Sequence, residues 1–202
     1  MTGQFDDGYT RYQTGRSPLR KLIRGFYLRS ARSLLRGATV DFGCGVGELL
    51  KTLPAGSRGL EYNQATVKHC RGRGLEVDWY DGEQDDWQLS ILSEFSFQSM
   101  VISHVLEHLE APVKILNSLL SASARLGIER VLIVVPGRAG FRIDATHRIF
   151  VDRAMLAKQE VVDGTGYSLR MTRYFPGNSR KIGDWFPHHE LQALYLRSSD
   201  ER

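Results

Sequence analysis

The chain has 202 residues, of which 42% are hydrophobic, 10% aromatic and 25% charged, with a formal net charge of +4. Those proportions exclude wholesale disorder, collagen-like repetition and fibrous structure, and a chain of this length buries a sizeable core as one domain with decorations. A longest apolar run of only Val131 to Val135, no secretory leader and just two cysteines (Cys44 and Cys70) predict a soluble cytoplasmic protein without membrane spans, a disulfide framework or a cysteine-built metal cluster.

The positive charge is local. Between Asp7 and Asp41 there are eight basic residues and no acidic one, whereas the rest of the chain holds 19 basic against 23 acidic side chains. Within that arm Leu19, Leu22, Ile23, Phe26, Tyr27, Ala31, Leu34 and Leu35 recur at helical spacing, so residues 18–36 read as an amphipathic helix. The chain therefore divides into a basic N-terminal helix or lid, 1–36, and a main domain, 37–202. Three readings of the helix stay open: a lid packing its apolar stripe on the domain, a binder of an anionic substrate, or a peripheral membrane contact through residues 18–36. Nucleic acid is disfavoured as a partner, because the aromatic residues lie on the apolar face instead of interleaving with the arginines as a base-stacking platform requires.

Alternation follows. Thr39 to Gly43 reads as a strand, with a helix through Leu49, Leu50 and Leu53 stopped by Pro54; Gly59 to Tyr62 as a second strand, with a helix over 64–73; Val77 to Tyr80 as a third strand. Phe97 to Ser103 is the fourth, followed by a helix opening at Pro112. Arg130 to Val135 is a fifth, apolar enough to be buried on both faces. Beyond residue 160, Tyr167 to Phe175 and His188 to Arg197 read as two strands with no helix between them. The predicted fold is α/β: a doubly wound, Rossmann-like, seven-stranded, mostly parallel sheet with an antiparallel pair at its C-terminal edge.

The sharpest local signal is Asp41-Phe42-Gly43-Cys44-Gly45-Val46-Gly47-Glu48, a glycine-rich turn between strand and helix. Alternate glycines let the backbone turn tightly and approach a ligand with no Cβ in the way. A dinucleotide fingerprint wants its third glycine one position later, where Glu48 stands, and Asp41 beside the turn repels a pyrophosphate. Acidic residues end three successive stretches, Asp41, Glu61 and Asp81, about twenty residues apart. One βα unit apart in a parallel sheet, they line up along one edge. Such an edge suits a ligand rich in hydroxyls and amines with a positive centre.

These residues resemble those of the class I S-adenosylmethionine-dependent methyltransferases, in particular small bacterial members of the type 11 group. Asp41 to Gly47 looks like their first motif, and Glu61 matches the acidic residue that holds the two ribose hydroxyls. Asp81-Gly82 sits where that family contacts adenine. Val101 to Leu109 (VISHVLEHL) resembles the segment flanking the methionine part and the transferred methyl, Asp144 to Phe150 a stretch on the substrate side, and His188 to Leu191 the opening of the last strand. The resemblance covers about residues 35–197. It implies S-adenosyl-L-methionine as cofactor, bound by Asp41, Gly43, Cys44, Gly45, Gly47, Glu61, Tyr62, Asp81, Gly82, Ser103 and His104, with a small-molecule or lipid-linked methyl acceptor. The fourth-strand segment carries Ser103-His104-Val105-Leu106 in place of the Asn/Asp-Pro-Pro-Tyr signature of amino-group nucleic-acid methyltransferases.

His104 and His147 are the candidate catalytic bases for an acceptor that must lose a proton. A zinc site from His104, His108 and Glu107 fits the helical spacing of four residues, but it lacks a fourth partner, so no metal is expected. A non-catalytic module that keeps the cofactor crevice is the alternative to an enzyme.

Overall fold

In the computed structural model, which describes residues 18–198, seven strands form one sheet: β1 Thr39–Phe42, β2 Arg58–Glu61, β3 Val77–Trp79, β4 Ser99–Ser103, β5 Arg130–Pro136, β6 Tyr167–Phe175 and β7 Glu190–Arg197. Their order is β3-β2-β1-β4-β5-β7-β6. The first five strands are parallel, and β7 runs antiparallel between β5 and β6. The predicted architecture is the one observed, antiparallel edge pair included.

Strand composition explains the layering. Side chains alternate across a strand, so β4 and β5, apolar at nearly every position, feed both faces. Met100, Ile102, Val131, Ile133 and Val135 pack with Leu116, Leu119 and Leu120 of helix α3 (Pro112–Arg125). Val101, Leu132 and Val134 pack on the opposite face with Ala31 and Leu35. Each such fully buried aliphatic contributes about 1.5–3 kcal/mol as an upper estimate.

The N-terminal helix α1, Pro18–Arg32, is shorter than the predicted 18–36. Tyr27, Ala31 and Leu35, spaced four apart, are buried. Ser30 Oγ donates to Gln192 Oε1 at 3.2 Å, and Arg173 Nη2 donates to the Ser30 carbonyl and hydroxyl at 3.0 and 2.9 Å. The apolar stripe described from residue 27 onward thus faces the sheet; a membrane contact would have to use other side chains, such as Phe26, which is 58% exposed. Among the described residues no helix is long and apolar enough to cross a membrane.

The helix predicted after the glycine turn is reduced to one 3-10 turn, Leu50–Thr52. Gly47 sits at φ +73°, outside the right-handed helical region. Pro54 holds Leu53 extended, so too few residues remain between them for a stable α-helix. Helix α2, Gln64–Arg71, forms as expected, with Asn63 Oδ1 accepting the Ala65 and Thr66 N–H groups as its N-cap. Three short helices, α4 Arg138–Ile143, α5 Arg153–Leu156 and α6 Gln159–Val162, fill the connection from β5 to β6.

Candidate active site

Strand order reverses between β1 and β4, which opens a crevice at the carboxyl ends of the strands, the place where open α/β sheets take their ligands. The glycine turn forms one wall. Gly43, Gly45 and Gly47 all adopt positive φ. A Cβ on Gly43 would lie 2.4 Å from Val105 Cγ2, so that glycine lets the loops after β1 and β4 meet.

Glu61 ends β2 and reaches back across this wall. Its Oε2 accepts the Gly45 N–H at 2.9 Å and its Oε1 accepts the Asn63 N–H at 2.8 Å. Burial pushes its carboxyl above the usual range, with those two N–H groups and that of Tyr62 pulling it partly back. Each oxygen keeps a further lone pair for a ligand hydroxyl. Tyr62, 43% exposed, stands beside it, and its carbonyl accepts the Trp79 indole N–H at 2.7 Å.

The other two carboxylates of the expected edge are placed differently. Asp41 is 2% exposed within β1, in register with Gly59 and Val101. Asp81 Oδ1 accepts the Glu83 and Gln84 N–H groups at 3.0 and 3.4 Å, a local turn that takes up one oxygen. Asp85 faces inward, accepting the Tyr80 hydroxyl at 2.7 Å and the Ser90 N–H at 3.1 Å, so it supports the loop instead of lining the crevice. Gly82 lies against Trp87, whose ring a Cβ would meet at 2.4 Å. Cys44 and Cys70 are both free and buried beneath the turn. The Cys44 thiol is pushed up by its hydrogen bond to Cys70 and by burial, with Asp41 and Glu61 adding to both, so it stays a thiol.

Ser103 closes β4, and His104 follows at φ +55°, a left-handed backbone uncommon outside glycine and asparagine. That turn delivers its ring between two carboxylates: Nε2 lies 2.9 Å from Glu190 Oε1 and Nδ1 3.3 Å from Glu107 Oε1. Burial opposes the charged ring, but Glu107 and Glu190 outweigh it and lift the His104 pKa to about 10. At neutral pH His104 is an imidazolium with no lone pair for a proton.

His147 arrives from a distant loop. Its ring stacks on Phe141 with centroids 5.3 Å apart and meets His108 edge-on at 4.8 Å. Its Nε2 is 3.8 Å from the same Glu107 Oε1. The structure therefore joins both predicted histidines through Glu107, a fully buried carboxylate that the sequence offers only as a ligand of the disfavoured zinc site with His104 and His108. Its place between two histidines in His104-Val105-Leu106-Glu107-His108 is the only signal, and burial is not legible there. Glu190 is likewise legible only as the start of a strand. Beside this cluster, a small cavity is lined by Arg138, Phe150, Tyr174, Arg180, His189 and Leu191. Phe150 and Tyr174 are its aromatic walls, whereas Trp185 does not line it and is 72% exposed.

The same fold occurs in solved structures across nearly the whole chain. A "SAM dependent methyltransferase" from Archaeoglobus fulgidus is 19% identical, covering 94% of this chain and 98% of that one, with a TM-score of 0.63. The "putative methyltransferase" in a complex with the Haloferax volcanii Trm112 methyltransferase activator is 14% identical over 97% of both chains, TM-score 0.66. Magnesium protoporphyrin IX methyltransferase (ChlM) from Synechocystis PCC 6803, with bound SAH, is 15% identical over 96% of both, TM-score 0.61. At these identities the likeness is one of fold, that of the class I methyltransferases. No curated protein matches the chain. The model of the family described as "Methionine biosynthesis protein MetW" matches residues 29–143.

Proposed function

The chain belongs to the MetW family, and from that membership together with the crevice we propose that it binds S-adenosyl-L-methionine and moves the methyl group to a small-molecule or lipid-linked acceptor. The observation that carries this reading is Glu61, whose carboxylate is turned onto the Gly45 N–H at the strand-order reversal. There it would hold the ribose hydroxyls, with the glycine turn along the amino-acid part, Tyr62, Asp81 and Gly82 toward the base, and Ser103 and His104 near the methyl. The cofactor carries the reactivity in its sulfonium, so the chain's share is alignment and exclusion of water. In-line attack needs the acceptor atom about 3 Å from the methyl carbon.

An acceptor entering beside Phe150 and Tyr174 would meet two arginines, Arg138 and Arg180, and two aspartates, Asp152 and Asp184, a lining of balanced charge that suits a polar acceptor of either sign. Where that acceptor must lose a proton, the role falls to His147, because His104 is already charged. The basic helix acts in this reading as a fixed cover of the sheet, and the protein works in the cytoplasm. Calorimetric titration with S-adenosylhomocysteine, followed by radiolabelled methyl transfer to small-molecule extracts, tests the proposal; no binding overturns it.

The second reading, a cofactor-binding module without catalysis, is favoured by the state of His104. A ring locked between Glu107 and Glu190 organises the loop more readily than it accepts a proton. Cofactor binding with no methyl acceptor in any extract would select it.

A further inference from the structure

We infer that Glu107, His108 and His147 form a binding site for one zinc ion. Each residue offers one ligand atom, and the three atoms lie within 4.8 Å of one another. Zinc holds imidazole nitrogen and carboxylate oxygen at about 2.0–2.2 Å, so its ligand atoms stand roughly 3–4 Å apart. His147 Nε2 and Glu107 Oε1, at 3.8 Å, already have that spacing.

Two independent observations point to an ion. First, Glu107 is fully buried, and neither carboxylate oxygen has a hydrogen-bond partner. A buried carboxylate without hydrogen bonds costs several kcal/mol unless nearby charge offsets it. His104 Nδ1 stands 3.3 Å from Oε1, and no hydrogen bond reaches Oε2. Second, both histidines are fixed in the tautomer that a metal ligand needs. His147 Nδ1 is 2.9 Å from the Phe141 carbonyl, and His108 Nδ1 is 3.3 Å from the Thr146 carbonyl. A carbonyl only accepts, so Nδ1 carries the proton and Nε2 of the neutral ring keeps its lone pair. Metal-bound histidines are held this way by a carbonyl or carboxylate behind them.

A supporting shell is present too. Thr146 Oγ1 lies 3.1 Å from His108 Nδ1 and donates to Asp144 Oδ1 at 2.6 Å. Asp144 Oδ2 is 3.9 Å from His147 Nε2, with its side chain 48% exposed at the entrance. Two imidazoles and one carboxylate leave a coordination position open, as catalytic zinc sites do. With zinc bound, His147 Nε2 has no lone pair left for a proton, so this site and the proton-accepting role given to His147 above exclude each other. The inference does not depend on the cofactor crevice.

The full-length chain, stripped with a chelator, is titrated with zinc, ferrous iron under anaerobic conditions, and magnesium. The expected result is about one zinc per chain, held more tightly than iron, with no magnesium bound, as nitrogen-rich sites prefer. His147→Ala and Glu107→Gln should each weaken zinc binding roughly 100-fold, and Thr146→Val, which keeps shape but loses the hydroxyl, roughly 10-fold. Where a ligand variant fails to fold by circular dichroism, the wild-type stoichiometry and Thr146→Val decide. Less than about a tenth of an equivalent of zinc on the wild type overturns the site, as does unchanged affinity in Thr146→Val and His147→Ala together. Tighter iron than zinc overturns the choice of ion. S-adenosylhomocysteine titration of the same samples reads the cofactor crevice separately: a lost zinc site with intact cofactor binding rejects only this inference.

Discussion

Glu61 Oε2 accepts the backbone N–H of Gly45 at 2.9 Å, bridging the ends of β2 and β1 across the mouth of the crevice. This one contact aims the carboxylate at the place where a nucleoside would lie, and it gives the first prediction. Hydrogen bonds to a charged group contribute about 1.5–3 kcal/mol each. If Glu61 holds two ribose hydroxyls as proposed, Glu61→Ala should weaken S-adenosylhomocysteine binding roughly 100-fold or more. Calorimetry measures it, and an unchanged dissociation constant would remove Glu61 from the site.

Protonation of the same group sets a pH dependence. The Glu61 carboxyl titrates above its ordinary value of 4.5, because burial outweighs the N–H groups of Asn63 and Gly45. Only the ionised form accepts both hydroxyls, so cofactor affinity should fall as pH drops through the raised value, approaching about tenfold per unit below it. Folding has the opposite sign. With the folded-state pKa raised, the stability from Glu61 is fully present below the unfolded value and is lost as pH rises through the folded one. Glu61→Gln should flatten both profiles, as read by calorimetry and urea unfolding across that range.

Gly43→Ala puts a Cβ 2.4 Å from Val105 Cγ2 on a backbone at φ +71°. The left-handed conformation alone costs about 1–2 kcal/mol for an alanine, and the overlap adds about 1–3 kcal/mol. The double variant Gly43→Ala with Val105→Ala should recover the overlap but not the conformational cost. Urea unfolding of the four-member cycle gives the coupling directly; strict additivity would mean that the two loops do not press on each other.

Arg173 ties the N-terminal helix to the sheet through Ser30 and through Gln192, whose Oε1 accepts its Nε at 2.8 Å. Arg173→Ala should lower stability by about 1–3 kcal/mol and raise hydrogen exchange over residues 25–35 more than in β4 or β5. Release of Tyr27, Ala31 and Leu35 should also make the variant bind anionic vesicles more tightly than the wild type. Equal exchange in the two proteins would show that the apolar contacts hold the helix without the guanidinium.

Much of this was legible in one dimension. A run such as Arg130 to Val135 has one stable use, a strand covered on both faces, and glycines at 43, 45 and 47 require a tight turn whatever surrounds them. Strand alternation and the lack of an α-helical stretch between β6 and β7, where only the 3-10 helix Arg180–Asp184 forms, therefore carried the sheet and its antiparallel edge, because these are properties of neighbouring residues. The glycine turn and Glu61 were legible for the same reason: a strand end and the turn after it are local features, and the βα repeat carries them to one edge. What the sequence left undecided is what depends on distant partners. Helical spacing pairs His104 with His108, yet the left-handed backbone at His104 turns its ring away toward Glu190, and His147 comes in from 43 residues downstream. Glu107 can be read from the sequence as a possible ligand beside His104 and His108, but its complete burial appears only in the fold. Burial and charge coupling are sums over the whole packed neighbourhood, so only the tertiary structure could decide that His104 sits between two carboxylates and that Glu107 is sealed from water.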